Sequence, residues 1–131
     1  MNEMYMEEIL EHYKHPLNKG KIAQPDIHYH DANPLCGDEL DIFIKLDKDK
    51  KIIDIKTEAK GCAISQAATS MVSEELKGKT VEEVRKLNKE FVFNLLHIPL
   101  SIMRVKCALL SLTTIKKGIY KYLGEQFNDS E

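Results

Sequence analysis

Two short runs with the same two-residue rhythm constrain this chain most. Leu40, Ile42, Ile44 and Leu46 alternate with polar or exposed positions, and Ile53, Ile55, Thr57 and Ala59 repeat the pattern soon after. Period two belongs to strands, because successive side chains leave opposite faces of a pleated sheet. Asp47-Lys48-Asp49-Lys50 between them is a charged hairpin connection. The strand over residues 38–47 and the one returning through Ile53 are therefore antiparallel neighbours. A further edge strand is predicted at Ile27–His30.

The rest of the chain has helical spacing. Residues 4–14 place Met6, Ile9, Leu10 and Tyr13 on one stripe, with Tyr5 beside it, before Pro16, Asn18 and Gly20 break the run. From Cys62 onward the period lengthens, with Ile64, Ala68, Met71, Val72 and Leu76 in register and Gly78 as the stop. Thr80 and Glu83 fit a capping box that opens a short helix to about Leu87. Residues 90–104 read as one or two short helices interrupted at Pro99. A last helix from about Cys107 to Leu123 carries Ala108, Leu112, Ile115, Ile119 and Leu123 on one side. Strands followed by helices predict an α+β fold: a small antiparallel sheet of about three strands with helices packed on one face. At 131 residues, positions 1–125 suffice for a single domain, and 126–131 form a polar C-terminal tail. The polar residues from Gly124 onward are expected to fray.

Charge and hydropathy narrow the partners. A net charge of −2 argues against non-specific nucleic-acid binding, which needs a basic excess. No apolar run approaches the ~18 residues of a membrane-spanning helix. The acidic, helical start is unlike a signal peptide, so a cytoplasmic location is expected. Three thiols cannot all pair within one chain, and in a reducing compartment none should pair permanently. No Cys-x-x-Cys is present, which argues against a zinc finger.

The thiols have a different use in Asn33-Pro34-Leu35-Cys36-Gly37-Asp38. Pro34 biases Asn33 toward an extended shape, and Gly37 permits a tight bend. If the chain runs extended into the following strand, Cys36 and Asp38 share a face, and a soft sulfur beside a hard oxygen suits zinc or iron. Cys62 and Cys107 are each expected to begin a helix, where free N–H groups favour a thiolate. Gly61 lets the chain turn ahead of Cys62, Ser65 is a candidate cap or supporting donor, and Lys60 and Lys106 could offset ligand charge. Blander uses exist for each residue. Single intracellular cysteines are commonly small buried hydrophobes, and an aspartate at such a bend commonly caps a turn. His28 and His30, two apart, could face one ligand, although exposed strand pairs are more common. The same bland reading leads for His12, His15 and His97. The stretch Lys45 to Lys60 reads as a solvated hairpin.

Taken together, Asn33-Pro34-Leu35-Cys36-Gly37-Asp38, Gly61-Cys62-Ala63-Ile64-Ser65-Gln66-Ala67 and Lys106-Cys107-Ala108-Leu109-Leu110 resemble the U-type iron–sulfur cluster scaffold family, which includes IscU, SufU and the NifU N-terminal domain. The opening Tyr5, Ile9, His12-Tyr13, Pro16, Asn18 and Gly20 resemble its first helix and turn. The resemblance implies a carrier rather than an enzyme, with sulfurtransferase activity left open. It implies that Cys36, Cys62 and Cys107 converge at an exposed end and hold a transient [2Fe–2S] cluster, iron or Zn2+. Asp38 would be a fourth ligand or a modulator of release. It also implies persulfide delivery by a pyridoxal-phosphate cysteine desulfurase and handover to recipient iron–sulfur apoproteins or carriers.

Three departures refine these expectations. Lys106 stands where the IscU branch has a histidine, which resembles the SufU pattern and favours Asp38 over an imidazole as fourth ligand. The insertion typical of SufU between the second and third cysteines is missing. So is the Leu-Pro-Pro-Val-Lys motif for chaperone docking, which leaves no basis for expecting handover through a dedicated Hsp70-type chaperone.

Overall fold

The structure, a computed structural model, describes residues 3–33, 37–97, 100 and 102–127. Its elements run α1 (Glu3–Lys14), β1 (Ile27–Asn33), β2 (Asp38–Leu46), β3 (Ile52–Lys60), α2 (Ala63–Leu76), α3 (Val81–Arg85), α4 (Lys89–Leu96) and α5 (Ile102–Leu123). The three strands form one antiparallel sheet in the order β1-β2-β3. Helices α2 and α5 cover one face of it, α1 packs on α2, α4 packs on α2 and α5, and α3 packs on α5. This is the α+β arrangement that the two periodicities predict.

The alternation sets the inner face. Ile27, Leu40, Ile42, Ile44, Leu46, Ile52 and Ile55 are all buried there against Ala67, Ala68, Met71 and Val72 of α2 and Ala108, Leu112, Ile115 and Ile119 of α5. Gly118 brings α5 close to the sheet: a Cβ there would stand 3.0–3.1 Å from Ile27, Tyr29 and Ile42. At the hairpin, Asp47 Oδ1 accepts from the N–H groups of Asp49 and Lys51, and Lys50 adopts φ 61°.

Five local expectations are corrected. An irregularity between Lys45 and Leu46 pairs Leu46 with Ile52, so Ile52 points inward and Ile53 is 58% exposed. Strand β1 continues past His30 to Asn33, because Asn33 pairs with Asp38. On α1, Ile9 is the buried residue, with Tyr5, His12 and Pro16 half-buried beside it, while Met6, Leu10 and Tyr13 face outward. The reason is polar. His12 Nδ1 lies 2.7 Å from Ser70 Oγ, and that oxygen also accepts from the Leu17 N–H at 2.8 Å, so α1 docks through serines of α2. Asn18 Nδ2 donates to Ser73 Oγ in the same seam. Helix α5 begins at Ile102, well before Cys107. Finally, residues 124–127 fold back instead of fraying: the Glu125 N–H donates to Tyr120 O, Arg85 pairs with Glu125 at 2.6 Å, and the Phe127 ring meets Tyr120.

The capping box is present. The Glu83 N–H donates to Thr80 Oγ1 at 3.1 Å, and the Thr80 N–H donates to Glu83 Oε1 at 3.0 Å. The Thr80 backbone bond, then its hydroxyl, hold the Glu83 carboxyl below the usual glutamate range. A depressed acid stabilises the fold above its unfolded value of about 4.3 and loses that contribution as pH falls through the folded value. Glu83→Gln should therefore lower the urea midpoint at neutral pH, and the gap from wild type should close as the pH falls below the unfolded glutamate range and through the folded value. A gap independent of pH would show that the carboxylate charge does not matter there.

Candidate metal centre

Asp38 is the first residue of β2 and faces the inside of the sheet at its end, fully buried. A carboxylate there requires polar company. The Cys62 N–H supplies it, donating to Asp38 Oδ1 at 3.0 Å. Strand β3 has just ended at Lys60, and Gly61, at φ 135°, turns the chain into α2. No other residue fits at that position, since a Cβ on Gly61 would stand 1.9 Å from Asp38 Oδ1 and 2.7 Å from its carboxyl carbon. Gln66 Nε2 donates to Gly61 O at 2.8 Å and holds the turn from the next helical step.

Cys62 is the N-cap of α2, and its sulfur accepts from the Ser65 N–H at 3.4 Å. The sulfur thus takes the position that Ser or Asp usually holds, facing N–H groups that the first turn of α2 leaves without helical partners. Ser65 serves as a donor through its backbone, while its carbonyl accepts from Thr69 Oγ1. Cys107 comes from the opposite side. It sits within α5, 1% exposed, on the face that meets α2 and the sheet.

One carboxylate oxygen of Asp38 and the sulfurs of Cys62 and Cys107 all lie within 4.8 Å of one another. Three elements distant in sequence therefore bring together three of the four residues singled out above. Cys36 lies outside the described residues. One expectation is corrected, since Cys107 does not begin a helix, and the described members of the cluster sit deeper than an open patch. Asp38 and Cys107 are buried and Cys62 is half-buried. Burial follows from Cys107 standing on the inward stripe of α5, next to Ala108. Among the other candidates, His28 and His30 lie on the outer face of the sheet, remote from the inward-facing Asp38. His97 caps α4 in the left-handed conformation and stacks on Tyr5 at 4.4 Å. Sequence reasoning overlooked Ser70 and Ser73, whose only signal was their small polar character on a buried helix face.

Two thiols and a carboxylate at these separations can converge on one metal ion or on one iron of a small cluster, where ligand atoms sit about 3–4 Å apart. Known proteins resemble the chain along most of its length. The family model of the NifU-like N terminal domain matches residues 4–129. The iron–sulfur cluster assembly scaffold protein IscU 1 of Archaeoglobus fulgidus is 37% identical over 119 residues, covering 91% of this chain and 76% of that protein. The zinc-dependent sulfurtransferase SufU of Bacillus subtilis is 33% identical over 141 residues, covering 95% of each. A crystal structure from Fervidobacterium islandicum, described as a cluster assembly scaffold protein for the SUF system, superposes with a TM-score of 0.75. It is 31% identical and covers 91% of this chain and 99% of its own. No described helix is long and apolar enough to cross a membrane.

Proposed function

This chain belongs to the NifU-like N terminal domain family, and from that premise we propose that it is an iron–sulfur cluster assembly scaffold. Cys36, Cys62 and Cys107 hold a [2Fe–2S] unit as cargo, with Asp38 beside them. The observation that supports this most is the convergence of Asp38, Cys62 and Cys107 donors within 4.8 Å. Sulfur arrives as the persulfide of a pyridoxal-phosphate cysteine desulfurase. A thiolate attacks the terminal sulfur, the S–S bond breaks, and the donor leaves as thiolate. Turning two such sulfurs into sulfides takes four electrons; two ferrous ions becoming ferric supply half, and a small-molecule thiol such as free cysteine, oxidised to its disulfide, supplies the rest. The oxygen of Asp38 binds iron less firmly than a thiolate, which suits a carrier that must release its cargo to recipient apoproteins.

Anaerobic reconstitution with ferrous iron, cysteine and a desulfurase tests the proposal. It should give visible charge-transfer absorption that Cys36→Ser, Cys62→Ser and Cys107→Ser each weaken. Spectra unchanged in all three variants would refute it.

A second reading has its own support. The SufU relative matches the chain over 95% of both lengths, and Lys106 precedes Cys107 as in that branch. Under this reading the same residues hold zinc, and the protein accepts sulfur as a sulfurtransferase that activates the desulfurase. Stoichiometric zinc that survives purification, together with desulfurase stimulation, would favour it over the scaffold.

A further inference from the structure

The sheet has a second face that none of the described helices packs on. His28 and His30 project from it, and Asp41 stands on the neighbouring strand directly opposite His30. His28 Nε2 is 3.2 Å from Asp41 Oδ1, and His30 Nδ1 is 3.3 Å from Asp41 Oδ2. Both oxygens of one carboxylate are thus met by imidazoles. Among the described residues, no lysine or arginine forms an ion pair with Asp41. Glu39 stands beyond, 3.8 Å from His30 Nε2. The His28 ring lies flat on Phe43, 4.5 Å between centroids and 7° between planes. Phe43 gives the cluster one apolar wall, while the imidazoles stay half exposed, at 51% and 50%.

From this juxtaposition we infer that His28, His30 and Asp41 form a second divalent-metal site, independent of the thiols. Two neutral imidazoles and one carboxylate are a donor set for borderline ions such as zinc and cobalt. Zinc–ligand bonds of about 2.0–2.2 Å put tetrahedral donors about 3.3 Å apart. Each imidazole already stands at about that length from one oxygen of Asp41, His28 from Oδ1 and His30 from Oδ2. Seating both on a single ion draws the two rings toward one another by rotation about side-chain bonds. Same-face neighbours two residues apart on a strand allow this, and a half-exposed ring has other staggered rotamers open to it. The ion takes the place of the N–H in each His–Asp contact, that proton moving to the ring's other nitrogen so that each imidazole stays neutral, and it leaves one or two positions for water.

Cobalt(II) separates this site from the first, because thiolate ligands give it an intense near-ultraviolet band that nitrogen and oxygen ligands do not. Anaerobic titration of the full chain, with bound metal counted by equilibrium dialysis, should fill two equivalents, only one of them with that band. In a His28→Ala/His30→Ala double variant the band should saturate as before and one equivalent should be lost. Asp41→Asn, which preserves shape, should weaken the bandless step about 10–100-fold, and it decides the matter if the double variant misfolds. A single equivalent in the wild-type chain, or a second that survives these substitutions, overturns the inference. A bandless equivalent that depends on the histidines, with no thiolate band at all, supports this site while counting against the thiol centre.

Discussion

Gly61→Ala should destabilise the protein by about 2–6 kcal/mol and abolish the metal binding proposed for the thiol centre. Two costs add. At φ 135° an alanine is held in a region that only glycine visits readily, at roughly 1–3 kcal/mol. Its methyl would also overlap the Asp38 carboxylate, 1.9 Å away. Asp38 is fully buried and bonded to the Cys62 N–H, so it can yield only by breaking that bond and moving its strand end. Overpacking of this kind costs about 1–3 kcal/mol. Gly78→Ala isolates the backbone term: φ is 85° and nothing lies within 4 Å of the added carbon. That variant should lose only about 1–2 kcal/mol. Urea midpoints measure both, and equal losses would mean that Gly61 is not packed against Asp38.

The second large effect is a contrast within one strand. Ile55→Ala should cost about 2–5 kcal/mol, because Ile55 is fully buried in the core and its loss leaves a cavity there. Ile53→Ala should stay within about 0.5 kcal/mol, since that side chain is 58% exposed. The pair reads out the register shift at Lys45 and Leu46. Without the shift, Ile53 would face inward and the two substitutions would cost the same.

That irregularity also marks the limit of what the sequence discloses. Alternation over Leu40 to Leu46 and over Ile55 to Ala59 predicts the hairpin, because a strand's period is set by its own backbone. The slip at the turn is set by how Asp47 gathers the Asp49 and Lys51 N–H groups, and periodicity does not see it. The candidate site divides in the same way. Asp38, Cys62 and Cys107 could be named from motif and spacing, and Gly61 could be assigned a turn. The depth of the cluster could not, because α5 starts at Ile102, well before Cys107, and carries Cys107 to its inward face. The outward turn of Met6 and Leu10 was equally hidden, since it depends on His12 meeting Ser70, a residue 58 positions away.

Strand β3 is not a bare sheet edge. Asn18 O and the Gly20 N–H bond to Thr57, and the chain at Gly78–Val81 bonds to Lys50 and Ile52. Both stretches occupy backbone groups that another polypeptide would need for strand addition. The opposite border, β1, places two imidazoles and an aspartate among its seven residues, so a newcomer would have to strip water from all three. A protein with both margins guarded in this way should tolerate high concentrations, and repeated partial opening, without templating aggregates of itself.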